Sequence, residues 1–283
     1  MRPVHRKADP TAGWEIARPS RSTALPGLDM AGFRVHGGSP VELRAIPHPA
    51  VTIAVAFGDR PFDIHGATGR MRLESLAAGL GFSAFQVRAE GIECVQMRLS
   101  PLTAHAVLGL PLAELRGGVI TLDDLWGRDV PRLRERLHHA RTWPERFALI
   151  DGELSTRLRA GKAVDPEVAW AWRRIVAGHG RTRVGELAAR TGWSRRRLWS
   201  RFGAQMGLSP KRAAVLVRFD RAVHLLARGH APARVAADCG YADQPHLNHD
   251  VRAFTGATPT AAATEPWLAA DDTAWPTAHG GAA

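Results

Sequence analysis

The side chains best suited to chemistry are polar and basic residues that recur at the starts of two stretches of helical period. The run Arg195-Arg196-Arg197-Leu198-Trp199-Ser200-Arg201 leads to Phe202 and Met206, and the run Gln244-Pro245-His246-Leu247-Asn248-His249 leads to Val251, Arg252 and Phe254. At about 100° per residue Leu198, Phe202 and Met206 share a face, which leaves Arg196, Ser200 and Gly203 opposite, with Trp199 and Arg197 on the flanks. In the second run Leu247, Val251 and Phe254 turn inward. Pro245, His249 and Arg252 turn outward, flanked by Asn248 and His246. Arg, Ser, Asn and His in the first turns of a helix are the donors and acceptors that read base edges in a major groove, Arg pairing with guanine and Asn with adenine. Arg197, Arg201, Lys211, Arg212, His246 and Arg252 then stand where phosphates would be neutralised. The competing reading is a solvated face, because only three of the 38 Lys and Arg are Lys and Arg is common throughout the chain.

Duplication separates the two readings. Leu187-Ala188-Ala189-Arg190-Thr191-Gly192-Trp193 is repeated as Val235-Ala236-Ala237-Asp238-Cys239-Gly240-Tyr241, with an offset of 48 residues at the glycine and 49 from Leu198 and Leu247 onward. The extra residue falls where a loop absorbs it. Each copy has the layout of a helix-turn-helix: an Ala-rich helix, a glycine able to take the left-handed backbone that ends it, and an aromatic at the corner. Ser194 and Asp243 are suited to capping second helices that start at Arg195 and Gln244. Two equally spaced polar helix starts need a shared reason, and groove reading supplies one.

Between the copies Ser209-Pro210 reads as N-cap and first helical position of a helix that runs to about Arg228, where Gly229 stops it. Its roughly 19 residues span about 28 Å. A rod of that length with Ala214, Val217, Ala222, Leu225 and Leu226 on its packing faces can hold two recognition helices about one DNA turn, 34 Å, apart.

Ser194 to Pro210, Arg218-Phe219 with Ala222 and Leu225-Leu226, and Gly240-Tyr241 to Pro259 resemble the DNA-binding domain of the AraC/XylS family of transcription regulators. The resemblance covers roughly 165–260, about a third of the chain. It implies base-reading positions at Arg195, Arg196, Trp199 and Ser200 and at Gln244, Pro245, Asn248 and His249. Trp199 and Pro245 depart from it: the first is larger than such proteins commonly place there, and the second cannot hydrogen-bond a base.

Length and composition are consistent with two domains, since 283 residues at 45% apolar content suffice for real cores. The net charge of +11 is uneven, with sixteen Lys and Arg against seven Asp and Glu in 165–260. That excess implies a polyanion partner, double-stranded DNA rather than a membrane, since no basic amphipathic helix with a large aromatic face is present. Cys94 and Cys239 fall in different domains, so no disulfide is expected and a reducing, cytoplasmic location follows. Met1 to Asp9 is basic with no apolar segment behind it, and the longest apolar run, Val51 to Phe57, is too short to span a bilayer.

In chain order, 1–30 reads as a flexible arm rich in Pro, Gly and Arg. Strands are expected at Phe33–Val35, Val41–Ile46, Val51–Phe57, around Ala84–Val87 and at Glu93–Leu99, the third and last alternating as half-buried strands do. The stretch Leu102 to Leu125 resembles the amino-terminal sensor-type domain of actinobacterial-style regulators of the same family, which implies a sheet-based, cupin-like ligand or dimer domain. Val130, Leu133, Leu137 and Ala140, then Phe147, Ile150 and Leu154, form two helical stripes that either pack between protomers or belong to the chain's own core. Asp165-Pro166 caps a further helix. The tail 261–283, of Ala, Thr, Asp, Pro and Gly, is expected to be disordered.

Other chemistry finds no support. There is no phosphate loop, no HExxH or CxxC spacing and no GxSxG elbow. His246 and His249 lack a third ligand, and His36, His48 and His65 match no metal pattern and are expected to be solvent-exposed, as are His138 and His139. The fold class is therefore α+β: a β-rich domain with a helical pair (31–160) and an all-α tandem helix-turn-helix domain (165–260). The expected function is that of a sequence-specific DNA-binding transcription regulator that responds to a small-molecule effector. No enzymatic activity and no cofactor are expected. A homodimer and contact with RNA polymerase are open, since such a domain activates by touching polymerase or represses by blocking it. The alternatives are a non-specific architectural DNA-binding protein or an enzyme with an appended DNA domain.

Overall fold

The computed structural model describes residues 14–20, 23, 25–36, 41–66, 69–81, 84–115 and 118–275. Its N-terminal half builds β1 (Trp14–Ala17), β2 (Leu28–Val35), β3 (Val41–Ala45), β4 (Val51–Ala56), β5 (Phe62–Gly66), β6 (Gly69–Leu73), β7 (Ser75–Ala78), β8 (Phe85–Ala89) and β9 (Glu93–Leu99). There follow α1 (Pro101–Leu108), a short 3-10 turn at Leu112–Leu115, β10 (Val119–Thr121), α2 (Asp123–Trp126), α3 (Asp129–His139) and α4 (Trp143–Ala160). The strands form two antiparallel sheets, in the orders β1-β2-β9-β4-β7-β10 and β3-β8-β5-β6.

β4 shows why these strands sit where they do. Val51, Ile53 and Val55 turn toward the helices and join the main core, while Ala54 and Ala56 turn toward the second sheet. Both faces are buried, so the expectation of a half-buried strand is corrected: the large residues pack on helices and the small ones leave room between the sheets. β9 follows the same rule, with Val95, Met97 and Leu99 toward the helices and Cys94 toward the second sheet. β5, β6 and β7 were not expected from sequence. On the edge strand β6, Arg70 forms a two-pronged pair with Asp63 of β5 at 2.8 and 2.6 Å, a charged edge that hides the alternation sought in sequence and discourages strand addition.

The helical pair is joined at a capping box in which Thr142 Oγ1 accepts from the Glu145 amide and Glu145 Oε2 accepts from the Thr142 amide. Val130, Leu133, Leu137, Phe147, Ile150 and Leu154 are buried in the chain's own core, with α4 against α1, and Ala140 is half-buried at the end of the first stripe.

The C-terminal half is helical: α5 (Pro166–Ala177), α6 (Val184–Thr191), α7 (Arg195–Met206), α8 (Pro210–Ala227), α9 (Pro232–Cys239), α10 (Gln244–Thr255), α11 (Pro259–Ala262) and α12 (Pro266–Ala274). Two expectations about the chain ends are corrected. The arm contributes β1, paired with β2 from Trp14↔Val35 to Ala17↔Gly32, because Trp14 packs edge-on against Phe33. The tail as far as Trp275 is ordered, with Leu268, Ala270, Ala274 and Trp275 buried between the β-rich half and α8. Residues 1–13, 21, 22, 24 and 276–283 of those segments lie outside the described residues. Covered on this extra side, α8 buries Ala213, Leu216, Phe219 and Val223 as well as the expected Ala214, Val217, Ala222 and Leu226, while Leu225 is only half-buried.

The two halves are fastened at separate points. Gly207 takes a left-handed backbone (φ 78°) with the Leu112 carbonyl so close that a Cβ would stand 2.8 Å from its oxygen. Farther along, Arg44 of β3 donates to the Thr255 carbonyl at 2.8 Å, at the end of α10. Among the described residues no helix is long and apolar enough to cross a membrane, and no group of three or more metal-binding side chains is present.

Candidate nucleic-acid interface

Local sequence sets both recognition elements. α6 ends at Gly192 (φ 67°) and α9 at Gly240 (φ 76°), each in the left-handed region that only glycine enters without strain. Ser194 Oγ accepts from the Arg197 amide at 3.2 Å and Asp243 Oδ1 from the His246 amide at 2.8 Å, so α7 and α10 start where their caps dictate. The extra residue of the second copy is Ala242, in the turn between Gly240 and the cap.

In the first unit Leu198, Phe202 and Met206 are fully buried, and Arg195, Arg196, Arg197, Trp199, Ser200 and Arg201 are exposed. Arg197 lies over the Trp193 ring with its guanidinium carbon 4.5 Å from the centroid. Arg201 is occupied within the protein: Nε and Nη2 donate to the two oxygens of Asp165 at 2.7 and 2.9 Å. The guanidinium of Arg201 holds the Asp165 carboxyl below the ordinary carboxylate range. Asp165 stands at the N-cap position of α5 but gives that helix no side-chain cap, because its carboxylate is turned to Arg201.

In the second unit Leu247 and Val251 are buried and Gln244, Pro245, His249 and Arg252 are exposed along one side of α10. Phe254 is half-buried and stacks on Phe219 of α8 at 4.5 Å. Asn248 is half-buried, and its Oδ1 is buried without a hydrogen-bond partner. His246 is turned toward the protein, edge-on to the Tyr241 ring with centroids 5.2 Å apart. Arg218 of α8 braces this corner, lying over Tyr241 at 4.3 Å and pairing with Asp250 at 3.2 Å. Burial pushes the Tyr241 phenol well above its ordinary range. Lys211 and Arg212, in the first turn of α8, are both exposed.

Cys239, the last residue of α9, is buried at 1% exposure, and burial raises its thiol above the ordinary value. A buried thiol of this kind is a small apolar plug rather than a sensor. Cys239→Ala is expected to cost about 1 kcal/mol of stability and to leave DNA affinity within about twofold; a folded Cys239→Ala protein that no longer binds DNA would contradict this role. Of the other cysteine and histidines, Cys94 is buried with its thiol pushed up to about 12. His36 and His65 are exposed as expected. His48 is not: it is 4% exposed and its Nε2 meets Thr52 Oγ1 at 2.8 Å, because it lies beneath the inter-sheet space. His138 and His139 are exposed, with His138 Nδ1 2.9 Å from the Phe57 carbonyl.

Two capped helices presenting polar side chains, each preceded by a short helix and a glycine corner and joined through one long helix, define a helix-turn-helix DNA-binding protein. A family model described as a helix-turn-helix domain matches residues 187–264, and this C-terminal domain is of the AraC type. No curated protein matches the chain. Among solved structures the chain is similar to apo ToxT K231A from Vibrio cholerae strain SCE256, at 9% identity and a TM-score of 0.48 over 86% of this chain and 99% of that one. It is also similar to the C-terminal domain of AraT, a response regulator from Geobacillus stearothermophilus, at 18% identity and a TM-score of 0.34 over 36% and 87%. A third similar structure is the DNA-binding domain of AdpA, a global transcriptional factor, in complex with a target DNA, at 29% identity and a TM-score of 0.30 over 39% and 94%.

Proposed function

We propose that this chain is a cytoplasmic, non-enzymatic transcription regulator that reads two successive major-groove segments and answers to a small-molecule effector held by its β-rich half. The observation that carries the reading is the pair of exposed, N-capped helix starts on α7 and α10, repeated at fixed spacing on one 18-residue connecting helix. In this reading Arg195, Arg196, Trp199 and Ser200 face bases in one segment, and Gln244, Asn248 and His249 face bases in the other. Trp199, 36% exposed, suits a thymine methyl or groove shape rather than a hydrogen bond. Turning the Asn248 amide outward onto adenine gives its buried Oδ1 the N6–H donor it lacks within the protein. Arg197, Lys211, Arg212 and Arg252 are free to meet phosphates. Arg201 joins them only by releasing Asp165, and His246 only by leaving Tyr241. The effector reading rests on an apolar, partly open cavity between the two sheets.

The test is selection from a randomised duplex pool by the full chain at near-physiological salt. Two enriched blocks about one helical turn apart are expected. Binding without enrichment would instead identify an architectural protein. On the selected duplex Arg196→Ala is expected to cost about 1–3 kcal/mol and to relax one base position. Equal loss on unrelated DNA would remove Arg196 from base reading.

A further inference from the structure

The cavity between the sheets has polar wall residues that the apolar packing does not require. Its volume is about 130 Å³, and its walls include Phe33, Phe62 and Phe85 with Ala54 and Ala78, the small residues that face away from the helices. The wall also carries the polar residues Thr52, His48, which meets Thr52 Oγ1 at 2.8 Å, and Gln96. Arg98 lies on the same face of β9 as Cys94 and Gln96 and is paired in register with Thr52 of β4. Its guanidinium is buried, and its other neighbour in register, Asp29 of β2, is exposed; partial desolvation holds the Asp29 carboxyl above its ordinary range against the opposing pull of the nearby Arg98 charge.

The group that satisfies this buried cation comes from the far end of the chain. Asp271 of α12, 2% exposed in its side chain, receives both terminal nitrogens of Arg98, and Trp275 lies over the guanidinium at 4.7 Å. Ala270, Asp271 and Trp275 form part of the cavity wall. α8 holds α12 as well: His224 lies 3.4 Å from the same Asp271 carboxylate and 3.2 Å from Asp272, and Arg228 lies 3.6 Å from Asp272. One short helix therefore both walls the cavity and grips the rod that carries the two helix-turn-helix units.

A buried Arg–carboxylate pair is poor value as a source of stability, since apolar residues of similar volume do as well or better. Asp271 lines the apolar cavity and Arg98 stands directly behind it, so a carboxylate on a short terminal helix separates the cavity from a fixed buried cation, which has the form of a binding site occupied by the protein's own side chain. We propose that the cavity takes a small monocarboxylate with an apolar body of about one ring, whose carboxylate replaces Asp271 on Arg98 and so unseats α12 from the cavity and from α8. The exchange is one carboxylate for another, so the buried charge stays balanced. The size follows from the volume: an engineered cavity of about 150 Å³ lined by apolar groups admits benzene, and departure of Asp271 adds room in front of Arg98. The inference rests on the effector reading above and names its ligand class and its route to the DNA-binding half.

The test uses the full chain, with phenylacetate as probe and phenylacetamide as its neutral counterpart. Calorimetric titration should show binding of the acid and not of the amide, and hydrogen exchange at the amides of α12 and the C-terminal half of α8 should accelerate about tenfold on saturation. Asp271→Asn removes the internal competitor and should bind phenylacetate about tenfold more tightly than the wild type. The double variant Arg98→Met with Asp271→Leu keeps the packed volume, and it should lose all preference for acid over amide. The proposal is overturned if acid and amide bind alike, or if Asp271→Asn gains no affinity for the acid. Should that variant not fold, an acid preference that persists in the double variant overturns it equally. A chain that selects no DNA sequence yet releases α12 to phenylacetate would remove the regulator reading and leave this site standing. A chain that selects its operator and ignores phenylacetate would do the reverse.

Discussion

Phe202→Ala is expected to lower the stability of the chain by about 3–5 kcal/mol and to abolish specific DNA binding through the first unit. Phe202 has no exposed surface and is among the largest fully buried side chains of the molecule. It lies in the main core on α7, which packs against α5, α6, α8, α1 and the 3-10 turn at Leu112–Leu115, so the cavity left behind weakens the seat of the recognition helix. Collapse into that space is hindered because Gly207, at the end of the same helix, is already pressed against the Leu112 carbonyl. Whole domains are stable by only about 5–15 kcal/mol, so such a loss frees α7 locally even where the rest of the fold survives. The control is Trp199→Ala on the same helix. Trp199 is one of the few large exposed apolar side chains, and its loss should barely move the denaturation midpoint while altering affinity for the selected duplex. Equal midpoints for wild type and Phe202→Ala would mean that α7 is not seated as described.

This contrast between Phe202 and Trp199 is legible in the sequence alone, because it depends only on helical period. The glycine corners, the Ser194 and Asp243 caps and the extra residue at Ala242 are equally local features, and local features are what a single sequence carries. β4 was legible as a strand but not as one buried on both faces. Its small residues look like a solvent-side alternation until a second sheet is known to lie over them. The outward direction of Arg201 could be read from period, but its occupation could not, since Asp165 lies 36 residues earlier. α12 was missed for the same reason in a stronger form. Its composition is that of a polar tail, and the contact that seats Asp271 is with Arg98, 173 residues away. Long-range ion pairs leave no periodic trace, and the most polar parts of the interior, His48 among them, were accordingly the least visible.

The Arg201–Asp165 pair makes the salt dependence of DNA binding a quantitative test of which cations meet phosphate. With Arg197, Lys211, Arg212 and Arg252 as the free contacts, log affinity should fall against log salt with a slope of roughly −3.6, a loss on the order of a hundredfold between 50 and 200 mM. Arg201 is exposed but both ends of its fork are engaged by Asp165 at 2.7 and 2.9 Å, so it releases no counterion while that pair holds. Asp165→Asn removes the charge that holds it while keeping the side-chain volume, and α5 loses no cap because Asp165 gives it none. The slope of this variant should steepen by about 0.9, the increment for one further phosphate contact. An unchanged slope with unchanged affinity would place Arg201 away from the backbone of the duplex. A wild-type slope near zero would remove the phosphate assignment as a whole, since four exposed cations beside two recognition helices cannot approach a duplex without displacing its counterions.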